Sequence, residues 1–147
     1  MKIGVSACLL GQNVRFDGTN KFNKDVINII SGCKVIPICP EVFSGFNIPH
    51  DPIEIKENQV IDQLGNNYTK MVTTGSEKAL ELVKECDFVI LKSKSPTCGY
   101  KKIYDGSFAG NLIDGNGVFT KLCIKNNIPV YSENEIEHIK EKISSLV

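Results

Sequence analysis

This sequence carries no surplus of charge. Lysine and arginine number 17, aspartate and glutamate number 17, and the formal net charge is zero over 147 residues. That removes the electrostatic basis for non-specific binding to a nucleic-acid polymer or an acidic membrane. The chain also has no apolar run approaching the ~20 residues of a membrane span. Its start, MKIGVSA, lacks the apolar core of an export leader, so a cytoplasmic protein is expected. Internal repeats, low-complexity stretches and linkers are missing too. One domain spanning 1–147 is therefore expected, as monomer or homodimer, near the commonest domain size.

Apolar runs and turn residues alternate along the chain in a βα rhythm. Lys2–Ala7 is a short apolar run that ends in a polar loop, a first strand. Lys24–Ser31 places Val26, Ile27, Ile29 and Ile30 at helical spacing and stops at Gly32. Lys34–Ile38 is a second strand, with Pro37 disfavouring full pairing near its end. Glu54–Lys56 and Gln59–Asp62 flank a short polar turn and suggest a hairpin. From about Thr74 to Lys84, Ala79, Leu80, Leu82 and Val83 mark a helix. Phe88–Leu91 is wholly apolar, as a strand covered on both faces should be. Gly117–Asn126 reads as a helix and Pro129–Tyr131 as a fourth strand. Ser132 to Glu135 (SENE) has the spacing of a capping box ahead of a last helix bearing Ile136, Ile139, Ile143 and Leu146. The pattern predicts an α/β fold: a single-domain, Rossmann-like three-layer sandwich on a mostly parallel sheet of about four strands.

In such sheets ligands bind beyond the carboxyl ends of the strands, and that rule sorts the six cysteines. Cys8 follows the first strand, Cys39 the second, and Cys98 lies a few residues past Phe88–Leu91. All three belong at one edge of the sheet. Cys33 and Cys86 precede strands, at the opposite edge, and Cys123 lies on an apolar helix face, so these three are expected to pack as small hydrophobes. Without an export signal, a disulfide framework is not expected. Glu41 stands two residues after Cys39, and Ser95 three before Cys98. Cys98 sits near the start of a long segment with five glycines, KSPTCGYKKIYDGSFAGNLIDGNG. Long loops are more often functional than plain connectors.

Several chemistries suit three convergent thiols. Zinc wants a fourth ligand or a water. Of the two histidines, His50 is on the right edge and His138 is on the last helix, exposed. An iron–sulfur cluster suits soft thiolates equally, although the cysteines here are spread over the chain and must be gathered by folding. A cysteine phosphatase reading of Cys8 and Arg15 is weaker. Six residues separate them where a phosphate cradle has five, and no helix follows directly.

Five segments in order resemble the thiouracil desulfurase family: SACLLGQNVRFDG (Ser6–Gly18), ICPEV (Ile38–Val42), IPHDPIEI (Ile48–Ile55), LKSKSPTCG (Leu91–Gly99) and IYDGSFAG with GNGV (Ile103–Val118). The resemblance implies a [4Fe–4S] cluster held by Cys8, Cys39 and Cys98, with one iron free of protein ligands. It implies an acid/base glutamate at Glu41 and a catalytic serine at Ser95. The implied reaction is non-redox replacement of the sulfur of a small 2-thiouracil-like base by oxygen, with sulfide left on the open iron. The sequence departs from the family pattern at Ser44–Gly45–Phe46, where a glycine pair is usual, and at His50–Asp51, where an arginine is usual. Each selected residue also has a plainer reading. Glu41 caps a helix or pairs with a cation, Ser95 is a turn residue, Arg15 and Asp17 order the first loop, and Lys92 and Lys94 are solvated or supply positive potential. The other class of function is a small-ligand or sulfur-carrying module that holds zinc, an iron–sulfur group or a persulfide without turnover.

Overall fold

The computed structural model describes residues 1–146; Val147, the last residue of the expected domain, lies outside them. Four strands form one sheet: β1 (Lys2–Ser6), β2 (Lys34–Ile38), β5 (Phe88–Leu91) and β8 (Val130–Ser132). Their order is β2-β1-β5-β8, and every pairing is parallel. Pro37 is tolerated because β2 is an edge strand, where a missing N–H need not break a ladder.

The central strand β5 shows how the sequence sets the layers. All four of its side chains are fully buried. Phe88 and Ile90 join Ile3 and Val5 in a core with Val26 and Ile30 from α1 (Lys24–Ile29) and its end, and with Ile139 from α5 (Ile136–Leu146). Val89 and Leu91 point the other way, to Ala79, Leu80 and Val83 of α3 (Thr69–Val83) and to Phe119 and Cys123 of α4 (Val118–Lys125). Two helices cover each face, which gives the expected three-layer sandwich. Cys33 packs at the edge of the first core and Cys86 against the second, while Cys123 is fully buried there. Those three cysteines are packing residues, as expected.

The remaining elements are small. β3 (Glu54–Lys56) and β4 (Gln59–Ile61) form the expected hairpin. The glycine-rich segment after Cys98 is not a bare loop: β6 (Lys102–Tyr104) and β7 (Leu112–Asp114) pair antiparallel within it. β7 is exposed along its length, so no apolar alternation marks it. Ile103 anchors this hairpin in a satellite core with Ile53, Ile55, Val60 and Val72.

α3 begins five residues earlier than its apolar spacing suggests, because its first turn is mostly polar and only Val72 faces the core. The SENE capping box forms by half. Ser132 N–H donates to Glu135 Oε1 at 3.0 Å, but the Ser132 hydroxyl oxygen accepts from Asn134 N–H rather than from the amide of Glu135. A turn therefore separates β8 from α5, which starts at Ile136.

Candidate active site

The carboxyl ends of β1, β2 and β5 face one cavity of about 440 Å³, within the usual range for small-molecule sites. Cys8, Cys39 and Cys98 all line it, together with Glu41 and Ser95. Each thiol arrives by a different local device.

β1 stops at Ser6 and tightens into a single 3₁₀ turn, Ala7–Leu10, closed by Gly11 at φ 95°. That left-handed cap is open to glycine with little strain. The turn folds Cys8 back over the sheet edge. The amides of Gly11, Gln12, Val14 and Arg15 are then bonded to the carbonyls of Cys8, Ala7, Gln12 and Thr19. These amides are not free to cradle a phosphate, and α1 begins only at Lys24 behind an Asn23 cap. The phosphatase reading fails on both counts. Arg15 lies 4.0 Å from Asp17, which also accepts from Thr19 N–H, so the pair orders the loop as its plainer reading held.

Cys39 is the N-cap of a four-residue helix, α2 (Pro40–Phe43), with Pro40 preset for its first turn. The amides of Val42 and Glu41 face the Cys39 sulfur, and Glu41 lies in the first helical turn. α2 rests on α3 through Gly75, where a methyl group would stand 2.5 Å from Ser44 N and 2.6 Å from the Pro40 carbonyl. Gly75 is thus what lets the Cys39–Glu41 turn approach the sheet.

Cys98 is presented by the SPTCG turn. Ser95 Oγ accepts from the amides of Thr97 and Cys98 at 3.1 and 3.0 Å. The first amides of α4 then clamp the turn from below: Val118 N–H donates to the Pro96 carbonyl, and Phe119 and Thr120 N–H donate to that of Thr97. Gly117 makes this possible, since a methyl there would lie 2.4 Å from the Thr97 backbone. Two hydroxyls reach the Cys98 sulfur. Thr97 Oγ1 donates at 3.7 Å, and the hydroxyl of buried Ser6, which accepts Lys92 N–H at 2.9 Å, lies beside the thiol.

Left alone, the site disfavours thiolates. Burial, then the neighbouring Cys39, pushes the Cys8 thiol up to about 11, against the pull of Lys92 and Arg15. Burial likewise raises Cys39 to about 11. Cys98 is raised furthest, by burial first, with Cys39 and Cys8 adding to it. The three sulfurs therefore feel one another, and ionising them together needs a compensating cation. An all-sulfur, all-thiol donor set with all six cysteines free suits a soft iron centre that supplies that charge. Hydroxyl donors on Cys98 are the outer partners that steady such a ligand. Among the described residues, no three His, Cys, Asp or Glu side chains stand close enough to grip a single metal ion. All three thiols line the one cavity.

The sequence reading passed over Glu133 and placed His50 at this edge without a partner. Glu133, 8% exposed, directly follows β8 and accepts from Ser93 N–H at 2.8 Å and from Lys92 Nζ at 3.1 Å. It holds Lys92 beside the thiols, so Lys92 is a fixed cation of the cavity wall rather than a solvated one. The strand-end rule that picked the cysteines also points to Glu133, which the capping-box reading hid. The second group is His50. Its Nε2 faces Glu41 Oε2 at 3.4 Å, a contact the sequence did not suggest. His138, on α5, is exposed, as expected.

Comparison with known proteins agrees with this geometry. A solved [4Fe–4S]-dependent thiouracil desulfidase, TudS, superposes with a TM-score of 0.91 at 36% identity, covering 99% of each chain. The Bacillus subtilis (strain 168) protein YbbK is 33% identical, over 92% of this chain and 97% of its own. The model of the 2-thiouracil desulfurase family matches residues 3–135, and this chain belongs to that family.

Proposed function

We propose that this protein is a [4Fe–4S]-dependent desulfidase that converts the thiocarbonyl of a small thiolated base such as 2-thiouracil to a carbonyl. The reading rests on one observation above all: three thiols from three separate strand ends line a single cavity with Glu41 and Ser95. A cavity of about 440 Å³ that also accommodates a cluster leaves space for one small base.

Cys8, Cys39 and Cys98 would hold the cluster. When bound, it supplies a thiophilic Lewis acid, at an iron without a protein ligand, that polarises a C–S double bond. The chain's own groups handle the protons. Glu41, on the first turn of α2, takes a proton from water as the water oxygen bonds to the thiocarbonyl carbon. The C–S bond then breaks, the carbon keeps the oxygen, and the sulfur leaves with the protons as hydrogen sulfide. Water and thiocarbonyl go to carbonyl and sulfide, with no net oxidation or reduction. Ser95, on the facing loop, serves as the neighbouring hydroxyl for proton passage and fixes the turn that carries Cys98. Arg15 and the Glu133-held Lys92 offset the negative charge of three thiolates. Free thiols throughout suit the reducing cytoplasm expected from the sequence.

Anaerobic reconstitution with iron and sulfide, followed by incubation with 2-thiouracil, tests the reading. Equal amounts of uracil and sulfide are expected. Stoichiometric zinc with no bound iron, or a loaded cluster that leaves thiouracil unchanged, would favour the non-catalytic sulfur-carrying module.

A further inference from the structure

His50 lies outside the cluster cavity, in the adjoining cleft, with Glu41 between it and the thiols. Its side chain is 10% exposed and that of Glu41 15%. The ring is fixed on every side. Phe46 stacks on it with centroids 4.4 Å apart, Phe16 approaches at 6.3 Å, and the backbone N–H of His50 donates to the Phe16 carbonyl at 2.7 Å. Nδ1 lies 2.7 Å from the carbonyl oxygen of Asp51. A carbonyl can only accept, so Nδ1 carries a proton in either charge state of the ring.

That settles what faces Glu41. In the neutral ring, Nε2 offers only a lone pair, and it is buried with no formed hydrogen bond. A lone pair opposite a carboxylate oxygen at 3.4 Å is repulsive. With one proton between them, the same contact becomes attractive, and such contacts tighten when a reacting complex forms. The groups facing the ring are Glu41 from α2, Asp51 from its own loop, and the apolar faces of Phe16 and Phe46. Burial works against a ring charge, yet the Glu41 and Asp51 contacts outweigh it and raise the His50 pKa.

We infer that His50 is a positioning residue for Glu41: a proton shared between Nε2 and Oε2 pins one carboxylate oxygen and turns the other towards the cavity. This rests on the acid/base role of Glu41 proposed above and adds to it. His50 touches neither substrate nor iron under this assignment.

Three variants separate positioning from packing. His50→Gln places an amide donor near the site of Nε2, His50→Asn reaches only the Nδ1 position, and His50→Leu fills the space without a donor. His50→Leu and His50→Asn should lower kcat about 10- to 100-fold, the range for outer partners of a reacting group. KM should stay within about twofold. His50→Gln should recover most of kcat, and all three should bind iron as the wild type does. Equal loss in the Gln and Leu variants, full activity in the Leu variant, or a loss carried by KM would overturn the assignment. A ring ¹⁵N spectrum of the wild type at pH 6.5 gives a readout without turnover. A His50 ring protonated at both nitrogens is expected, and a neutral ring protonated at Nδ1 alone would contradict the shared proton. If wild-type protein fails to convert thiouracil at all, the proposed function falls, and the spectrum still judges the His50 contact separately.

Discussion

Cys8→Ala, Cys39→Ala and Cys98→Ala proteins, purified and reconstituted without oxygen, should each lack the broad iron–sulfur absorption near about 400 nm that the wild type shows. Cys33→Ala should keep it. The distinction is one of place. Cys33 precedes β2, half-buried at the rim of a core, whereas the other three stand at the carboxyl ends of β1, β2 and β5 around one cavity. A three-thiolate site has no spare ligand, and the nearest alternatives are a histidine turned towards Glu41 and hydroxyls already bonded to sulfur or amides. Desulfurisation should fall by more than about 100-fold in each variant, beyond the loss that outer partners of a metal ligand bring. Removing one buried sulfur costs about 1 kcal/mol of packing, so the fold should persist. Circular dichroism would confirm it, and loss of iron with retained structure assigns the effect to the site. Full iron content in any of the three would remove that cysteine from the ligand set.

Glu41→Gln should do the opposite: keep the iron and lose the chemistry. Glutamine matches glutamate in shape, keeps the first turn of α2, and can still reach His50. It cannot take a proton from water. General acid–base groups contribute about 10²- to 10⁴-fold, so sulfide release should slow by that factor with absorption unchanged and KM little altered. Measuring uracil and sulfide over a single turnover would show whether the C–S step itself is slowed. An active Glu41→Gln enzyme would take the acid/base role away from this residue.

The sheet and its two helical layers were legible in the sequence because each core strand is short, apolar and bounded by turn residues. Phe88–Leu91 is the clearest case: all four side chains are buried, two to each face, and nothing polar interrupts the run. The candidate ligands were legible for the same reason. Once the strands are placed, parallel topology alone brings Cys8, Cys39 and Cys98 to one edge. What stayed hidden is what tertiary contact decides. α2 is four residues long, too short for a period to show. The β6–β7 hairpin exposes β7 throughout, so solvent erases its alternation. Gly75 and Gly117 look like flexible points in the sequence but are contact points, where a methyl group would press on the Pro40–Ser44 and Thr97 backbones. The Glu41–His50 contact joins α2 to the loop that follows it, and only the folded path of Phe46 and Phe16 around the ring makes it specific.

The central claim is that three strand-end thiols hold a cluster with one iron facing Glu41. An anaerobic crystal structure of the reconstituted protein, phased on the anomalous signal of iron, measures this directly. Four irons are expected in the cavity at the ends of β1, β2 and β5. Cys8, Cys39 and Cys98 would each bind one, and the fourth, without a protein ligand, would lie on the side of Glu41 and Ser95. A single metal ion gripped by all three thiols, or iron bound elsewhere with the three sulfurs unligated, would contradict it.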